Sequence, residues 1–196
     1  MKYFAYKSYE EYLSLQKKIS QKTLRRTCGY DLRRDYIYMM MQKYKVKGKT
    51  ILSVGTRNEV ELDFFEKKGY KAEGIDLFKT NKIIECDMSR IYKHPILKNK
   101  KYDIVFSSDS LEHCLDLKGF IKELNKICKR YFVCMCKVAS EPDCWDCSIH
   151  PFMMYLSDFN ICNKELLKTF KNFKVVVNEI QKHNTRLFFI LKKKKK

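Results

Sequence analysis

The sequence predicts a doubly wound α/β fold: a mostly parallel, seven-stranded sheet with an antiparallel last strand, preceded by an N-terminal helical extension. Three observations carry this. From residue 50 onward, short apolar runs alternate with segments of helical period. Runs such as "DIVF" (103–106) and "YFVCMC" (131–136) are apolar without alternation, as strands covered by helices on both faces must be. The last two strand-like runs, 174–180 and 185–191, are joined by little more than "QKHN". That is hairpin length, so the seventh strand runs antiparallel, at or near an edge.

Ser8 followed by Glu11 is a capping-box pattern, and Tyr12, Leu15 and Ile19 then recur at helical spacing, which predicts a helix over 9–20. The basic stretch "SQKTLRRTCGY" has no pattern and reads as a loop. Ile37, Met40, Met41 and Tyr44 stand at i, i+3, i+4 and i+7, an amphipathic helix ending near Gly48. Five further strands are predicted at 50–54, 71–75, 82–84, 102–106 and 130–136. Three helices lie among the strands. One covers 58–68, with Asn58 as cap, Glu61 three residues on and Gly69 as stop. Another covers 117–129, turning Phe120, Ile121, Leu124 and Ile127 inward, and the last covers 163–171 with Leu166, Leu167 and Phe170. The chain thus divides into a helical extension over 1–48, one α/β domain over 49–191, and a lysine tail over 192–196 expected to be disordered.

The chain has 196 residues, of which 45% are hydrophobic and 14% aromatic, enough for a proper core and too much for a wholly disordered chain. Its formal net charge is +18, five units of it from Lys192 to Lys196. Such an excess attracts RNA or another anionic partner, or simply solvates the surface. Nine cysteines without a signal-peptide pattern in "MKYFAYKSYEEY" point to a reducing, cytoplasmic setting rather than a disulfide framework. No run approaches the length of apolar sequence a membrane span needs.

Four strand ends carry chemistry suited to a ligand, and a doubly wound sheet binds its ligand beyond those ends. "ILSVGTRNEVE" places Val54 at the end of the first strand and Gly55, Thr56 and Arg57 after it, where a residue without a side chain lets the backbone approach a ligand and helix-start amides can receive a carboxylate. Asp76, with Leu77 next to it, follows the second strand and is positioned to accept from two ribose hydroxyls. Cys86, Asp87 and Met88 follow the third, with Asp87 able to accept from an adenine amine and Met88 able to pack on the ring. Ser107 and Ser108 open the polar stretch after the fourth.

In that order, "ILSVGTRNE", "GIDLF", "ECDMS" and "YDIVFSSDSLEH", over roughly residues 50–136, resemble the motifs of the class I S-adenosylmethionine-dependent methyltransferases of the small-molecule type. The resemblance implies a Rossmann-like domain over 49–191 that binds S-adenosyl-L-methionine through the residues named above, and a methyl group moved to an oxygen or nitrogen acceptor. The first motif departs from the family: Arg57 and Glu59 stand where further glycines are usual. Arg57 either pairs with the methionyl carboxylate or displaces it. The same lack of glycines counts against a nicotinamide dehydrogenase, whose pyrophosphate needs G-x-G-x-x-G. His113 is the first candidate for a base, since its ordinary pKa suits proton removal near neutrality, and Asp109 is the second. The plainer reading of His113 is a helix-start residue packed against the site.

The acceptor is less legible. Asp109, Lys137 and Glu179 sit at strand ends where a ribose-methylating set would stand, which leaves an RNA-directed enzyme open beside a non-catalytic nucleic-acid-binding subunit. Cys144, Cys147 and His150 in "CWDCSIHPF" invite a zinc reading, with Cys134, Cys136 and Cys162 as further thiols, but the expected site holds no metal. Trp145, His150 and Phe152 are instead placed at the pocket mouth, with Tyr9, Tyr12 and Tyr36 of the extension as the facing wall or lid.

Overall fold

A computed structural model of the chain describes residues 2–3, 6–23, 30–138, 152–153, 159–181 and 186–195. Strand β1 (Lys2–Tyr3) leads to helices α1 (Tyr9–Thr23) and α2 (Tyr30–Lys43). There follow β2 (Thr50–Val54), α3 (Val60–Lys67), β3 (Lys71–Asp76), β4 (Ile83–Glu85), β5 (Tyr102–Ser108), α4 (Leu117–Ile127) and β6 (Cys128–Lys137). The chain closes with β7 (Phe152–Met153), α5 (Phe159–Thr169), β8 (Phe173–Gln181) and β9 (Arg186–Lys193). Two 3-10 turns, Met88–Lys93 and Leu111–His113, flank β5.

Seven strands form one sheet in the order β4-β3-β2-β5-β6-β9-β8. Every pair from β4 to β6 is parallel, whereas β9 runs antiparallel to both β6 and β8. The hairpin expected from the short link is therefore present, and β9 lies one place in from the edge. The sequence pattern did not disclose β1 and β7, which pair in a separate antiparallel ribbon.

Successive strand residues point to opposite faces, and the core divides on that alternation. Leu52, Val105, Phe132, Cys134, Phe189 and Leu191 join one cluster with Phe120 and Leu124 of α4, Leu166 of α5 and Phe170 just after it. Their neighbours Ile51, Ile104, Phe106, Val133, Met135, Phe188 and Ile190 join the other, beneath Ile37, Met40 and Met41 of α2 and Phe65 of α3. A helix layer on each face explains why these strands read as continuous apolar runs.

Local chemistry sets the helix ends. The Ser8 Oγ accepts from the Glu11 amide at 3.1 Å, while the Glu11 carboxylate reaches back to the Lys7 amide at 2.6 Å. Asp116 caps α4 by accepting from the Gly119 amide at 2.8 Å. Gly69 stops α3 with a left-handed φ of +87°. Helix α3 starts two residues later than expected, with Glu59 rather than Asn58 at its cap and no side-chain cap bond. The Glu59 carboxylate is drawn instead to the 80–82 loop, accepting from the Lys82 amide at 3.0 Å and the Thr80 hydroxyl at 2.5 Å. At the far end β9 runs through Lys193, and the Lys194 amide donates to the Asn172 carbonyl at 3.0 Å. The stretch expected to be a disordered tail therefore begins inside the sheet.

Candidate active site

At the carboxyl edge of the parallel strands, the turn after β2 carries two left-handed residues, Gly55 (φ +72°) and Arg57 (φ +54°). A Cβ at position 55 would collide with the Ser110 side chain. The Ser110 hydroxyl lies within hydrogen-bond distance of the Gly55 carbonyl at 3.0 Å and the Ser108 carbonyl at 2.9 Å, tying the turns after β2 and β5 together. Close approach is thus what demands glycine here. The amides of Gly55 and Thr56 both donate to the Ile75 carbonyl, at 2.8 and 3.2 Å. This corrects the expectation that amides at the break stand open for a carboxylate.

Arg57 lacks glycine's freedom in that conformation, at a cost of about 1–2 kcal/mol. What holds it there is Asp76. Its Oδ2 accepts from the Arg57 amide at 3.0 Å and its Oδ1 from the Leu77 amide at 2.7 Å, with only 8% of the residue exposed. Asp76 thereby shapes the β2 turn as well as ending β3.

A cavity of about 520 Å³, counting space open to solvent, occupies this edge. Gly55, Arg57, Asp76, Leu77, Cys86 and Met88 line it together with Asp109, Ser110 and His113. Helix α1 roofs it with Tyr12, Gln16 and Ile19, held down where the Tyr12 hydroxyl donates to the His113 carbonyl at 2.9 Å. Tyr12 was anticipated as wall or lid. Gln16, Ile19, Ile75 and Ser110 were not, because Ile19 and Ile75 read simply as helix and strand positions and nothing in the pattern marks Gln16 or Ser110 as facing a ligand. A neighbouring cleft shares Leu77 and Cys86 and is lined by Tyr9, Asp87 and Arg90. There the Tyr9 hydroxyl donates to Asp87 Oδ2 at 2.6 Å, and Asp87 Oδ1 accepts from the Ser89 amide at 2.7 Å.

Other residues expected at the cofactor stand behind the cavity wall. Val54 is in the core and Ser107 is fully buried. Thr56 turns inward to Glu61 Oε1 at 3.1 Å, and Ser108 offers its carbonyl to Ser110. Strand alternation turns Val54 and Ser107 into the packed layers, and the turn at Gly55 does the same for Thr56.

Asp109, itself left-handed at φ +48°, is gripped by Arg33 Nε of α2 at 3.0 Å and Arg186 Nε of β9 at 2.6 Å. It is a three-element junction before it is a base. Glu112 lies beneath it, 2% exposed, accepting from the Lys137 amide at 3.0 Å. Burial, then the Asp109 charge, push its carboxyl up to about 7. Tyr36 bonds Glu179 and fastens α2 to β8, and it is not among the residues that line the cavity. Cys144, Trp145, Cys147 and His150 lie outside the described residues, as do the side chains of Phe152 and Cys162. Among the described residues no group of His, Cys, Asp and Glu side chains could hold a metal ion, and Cys134 and Cys136 are buried in the sheet.

Under the first turn, burial raises the Glu61 carboxyl to about 7, against the opposing hydrogen bonds from Ser53 and Thr56. The folded chain therefore holds a proton there that the unfolded chain releases near 4.5. Stability from this group is complete below the lower value and declines as pH rises to about 7. Glu61→Gln is expected to remove that slope and to be stabilising by on the order of 1–3 kcal/mol at about pH 8 relative to about pH 5, read from urea unfolding at both. An unchanged slope would place the titration elsewhere.

A family model described as "Methyltransferase domain" matches residues 23–182. A search of curated proteins returned no match. Among solved structures, the chain is similar to the 1,6-didemethyltoxoflavin-N1-methyltransferase of Burkholderia thailandensis, solved with 1,6-didemethyltoxoflavin and S-adenosylhomocysteine. There the TM-score is 0.71 at 10% identity, covering 98% of this chain and 93% of that one. An S-adenosylmethionine-dependent methyltransferase from Clostridium acetobutylicum gives 0.61 at 13% identity over 91% and 98% of the two chains. One from Aquifex aeolicus gives 0.60 at 13% over 93% and 98%. At such identities the likeness is one of fold.

Proposed function

The chain belongs to the methyltransferase domain family, with its class I, Rossmann-like fold, and from that premise we propose that it moves a methyl group from S-adenosyl-L-methionine to an oxygen or nitrogen of an acceptor bound beside His113. The observation that carries this is the cavity, which draws Gly55, Asp76, Met88 and His113 from four separate strand ends into one wall.

The residues present fit the cofactor. Asp76 offers a buried carboxylate to a ribose diol, Leu77 and Met88 an apolar seat for the base, and Arg57 a cation beside the turn for a carboxylate. Asp87, in the adjoining cleft, is the acceptor for an adenine amine, an oxygen now occupied by Tyr9. When bound, the cofactor supplies the reactive methyl group, and the protein's task is alignment, which accounts for about 7–11 kcal/mol in well-oriented reactions. His113 stands where it can take the acceptor's proton, its backbone fixed to Ser110 at 3.0 Å and to Tyr12. Asp109 keeps the β5 turn, α2 and β9 in register around it.

A second reading, a non-catalytic subunit on the same fold, is favoured by Arg57, which occupies a left-handed position beside the cavity that glycine suits better. Isothermal titration with S-adenosylhomocysteine separates the two. The enzyme is expected to bind with a Kd well below about 1 mM, which corresponds to about −4 kcal/mol. No heat at that concentration would defeat the methyl-transfer reading and leave the subunit.

A further inference from the structure

The end of the sheet opposite the cavity carries a separate feature that methyl transfer does not use. Four of the five parallel strands open there beside one or two lysines or arginines: Lys47 and Lys49 before β2, Lys71 on β3, Lys100 and Lys101 before β5, Lys129 and Arg130 on β6. Antiparallel β9 brings Lys192 and Lys193 to the same end, since Lys192 pairs with Tyr131 in the ladder. The parallel topology thus collects into one face cations that are scattered along the chain.

Within that face lies a groove of about 1060 Å³, counting space open to solvent, lined by Lys101, Lys126, Lys129, Lys193 and Lys194 with Tyr92. Among the described residues no carboxylate lines it. The nearest acids are already committed. Glu123 pairs with Lys126 at 3.1 Å, Glu73 with Lys100 at 2.7 Å, and Asp103 accepts from the Lys49 amide at 2.8 Å. Two of the lysines are fixed rather than trailing. The Lys193 ammonium donates to the Cys128 carbonyl at 2.7 Å and to that of Asn125, and the Lys194 ammonium to the Lys171 carbonyl at 2.8 Å. An ammonium has three donors, so Lys194 keeps further bonding capacity at the groove, and both lysines keep their charge there. The Lys126 ammonium stands 4.6 Å from the centre of the Tyr92 ring, which adds an aromatic face to the cationic wall.

We propose that this groove binds the phosphodiester backbone of a single-stranded nucleic acid, at a site distinct from the cofactor cavity. A concave row of cations with an aromatic ring in it fits a strand of phosphates and bases. A flat lipid surface would instead call for exposed apolar side chains beside the lysines, and among the described residues none of the large exposed apolar ones, Leu32, Met39, Val60, Ile96 and Val175, lines the groove. Strand β5 spans the seven residues from groove to cavity, roughly 20 Å at about 3.3 Å each, so the bound segment is held and not methylated there. The proposal stands on the basal face alone and is independent of the methyl-transfer reading.

The test is fluorescence anisotropy of the full chain with a labelled oligo-uridylate of about a dozen nucleotides. With about four phosphates neutralised, the logarithm of the binding constant should fall with the logarithm of salt at a slope of about −3, which is about 60-fold for a fourfold rise in salt. Joint reversal of Lys101, Lys126 and Lys129 to Glu should cost at least about 10-fold and flatten the slope toward about −1. The double variant Lys101→Glu, Lys129→Glu leaves the Lys126–Glu123 pair in place and should show most of that loss. Reversal of Lys79, Lys118 and Lys122, the same change in charge placed outside the groove, should leave affinity within about threefold. Asp76→Ala should leave it unchanged. Equal losses for both lysine sets would show attraction by net charge alone and overturn the site, as would absence of binding at low salt. Tighter, groove-dependent binding to vesicles of phosphatidylcholine and phosphatidylserine would overturn it in favour of a membrane surface.

Discussion

Asp76→Ala is expected to weaken binding of S-adenosylhomocysteine by at least about 100-fold, because hydrogen bonds to a charged acceptor contribute about 1.5–3 kcal/mol each and a ribose diol makes two. The carboxylate also organises the site before any ligand arrives. It holds the Arg57 amide in its left-handed turn and the Leu77 amide at the end of β3. Removing it loosens the wall, so the folded chain should itself lose about 1–3 kcal/mol, measurable by urea unfolding. Asp76→Asn separates the two effects. It keeps the volume and one carbonyl acceptor, and should restore more of the stability than of the affinity. The measurement is isothermal titration of all three proteins. Binding by Asp76→Ala within about threefold of the parent chain would remove ribose recognition from this residue.

Phe132→Ala is expected to cost about 3–5 kcal/mol, the range for truncating a fully buried aromatic ring, and to lower Tm by about 10 °C. Phe132 is completely buried at the middle of β6. Its ring centre lies 5.8 Å from that of Phe120, 5.7 Å from Phe170 and 5.7 Å from Phe189. One side chain therefore joins the central sheet to α4 and to the residue that follows α5. The cavity left behind could not be filled without moving two helices, which is why the upper part of the range applies. Thermal unfolding checks the figure against Val175→Ala, a truncation at an exposed position of β8 expected to stay within about 0.5 kcal/mol. A Phe132 loss below about 1 kcal/mol would mean that these rings do not form the core.

Much of this molecule was legible in one dimension. The strand and helix runs, the hairpin of β8 and β9, the stop at Gly69 and the acids at strand ends 76 and 87 follow from periods of 2 and 3.6 and from turn chemistry. All of these act over a few residues. Three-dimensional packing alone decided the rest. Ser110 meets Gly55 across 55 residues, and Tyr12 meets His113 across 101. Arg33 and Arg186, from opposite ends of the chain, converge on Asp109 and turn a presumed base into a junction. The same holds for the amides at Gly55, which β3 claims, and for the start of α3, which the 80–82 loop delays. Short-range patterns register what a residue prefers beside its chain neighbours. Which distant side chain fills its remaining contacts depends on the order in which the strands assemble, and that order is a property of the sheet.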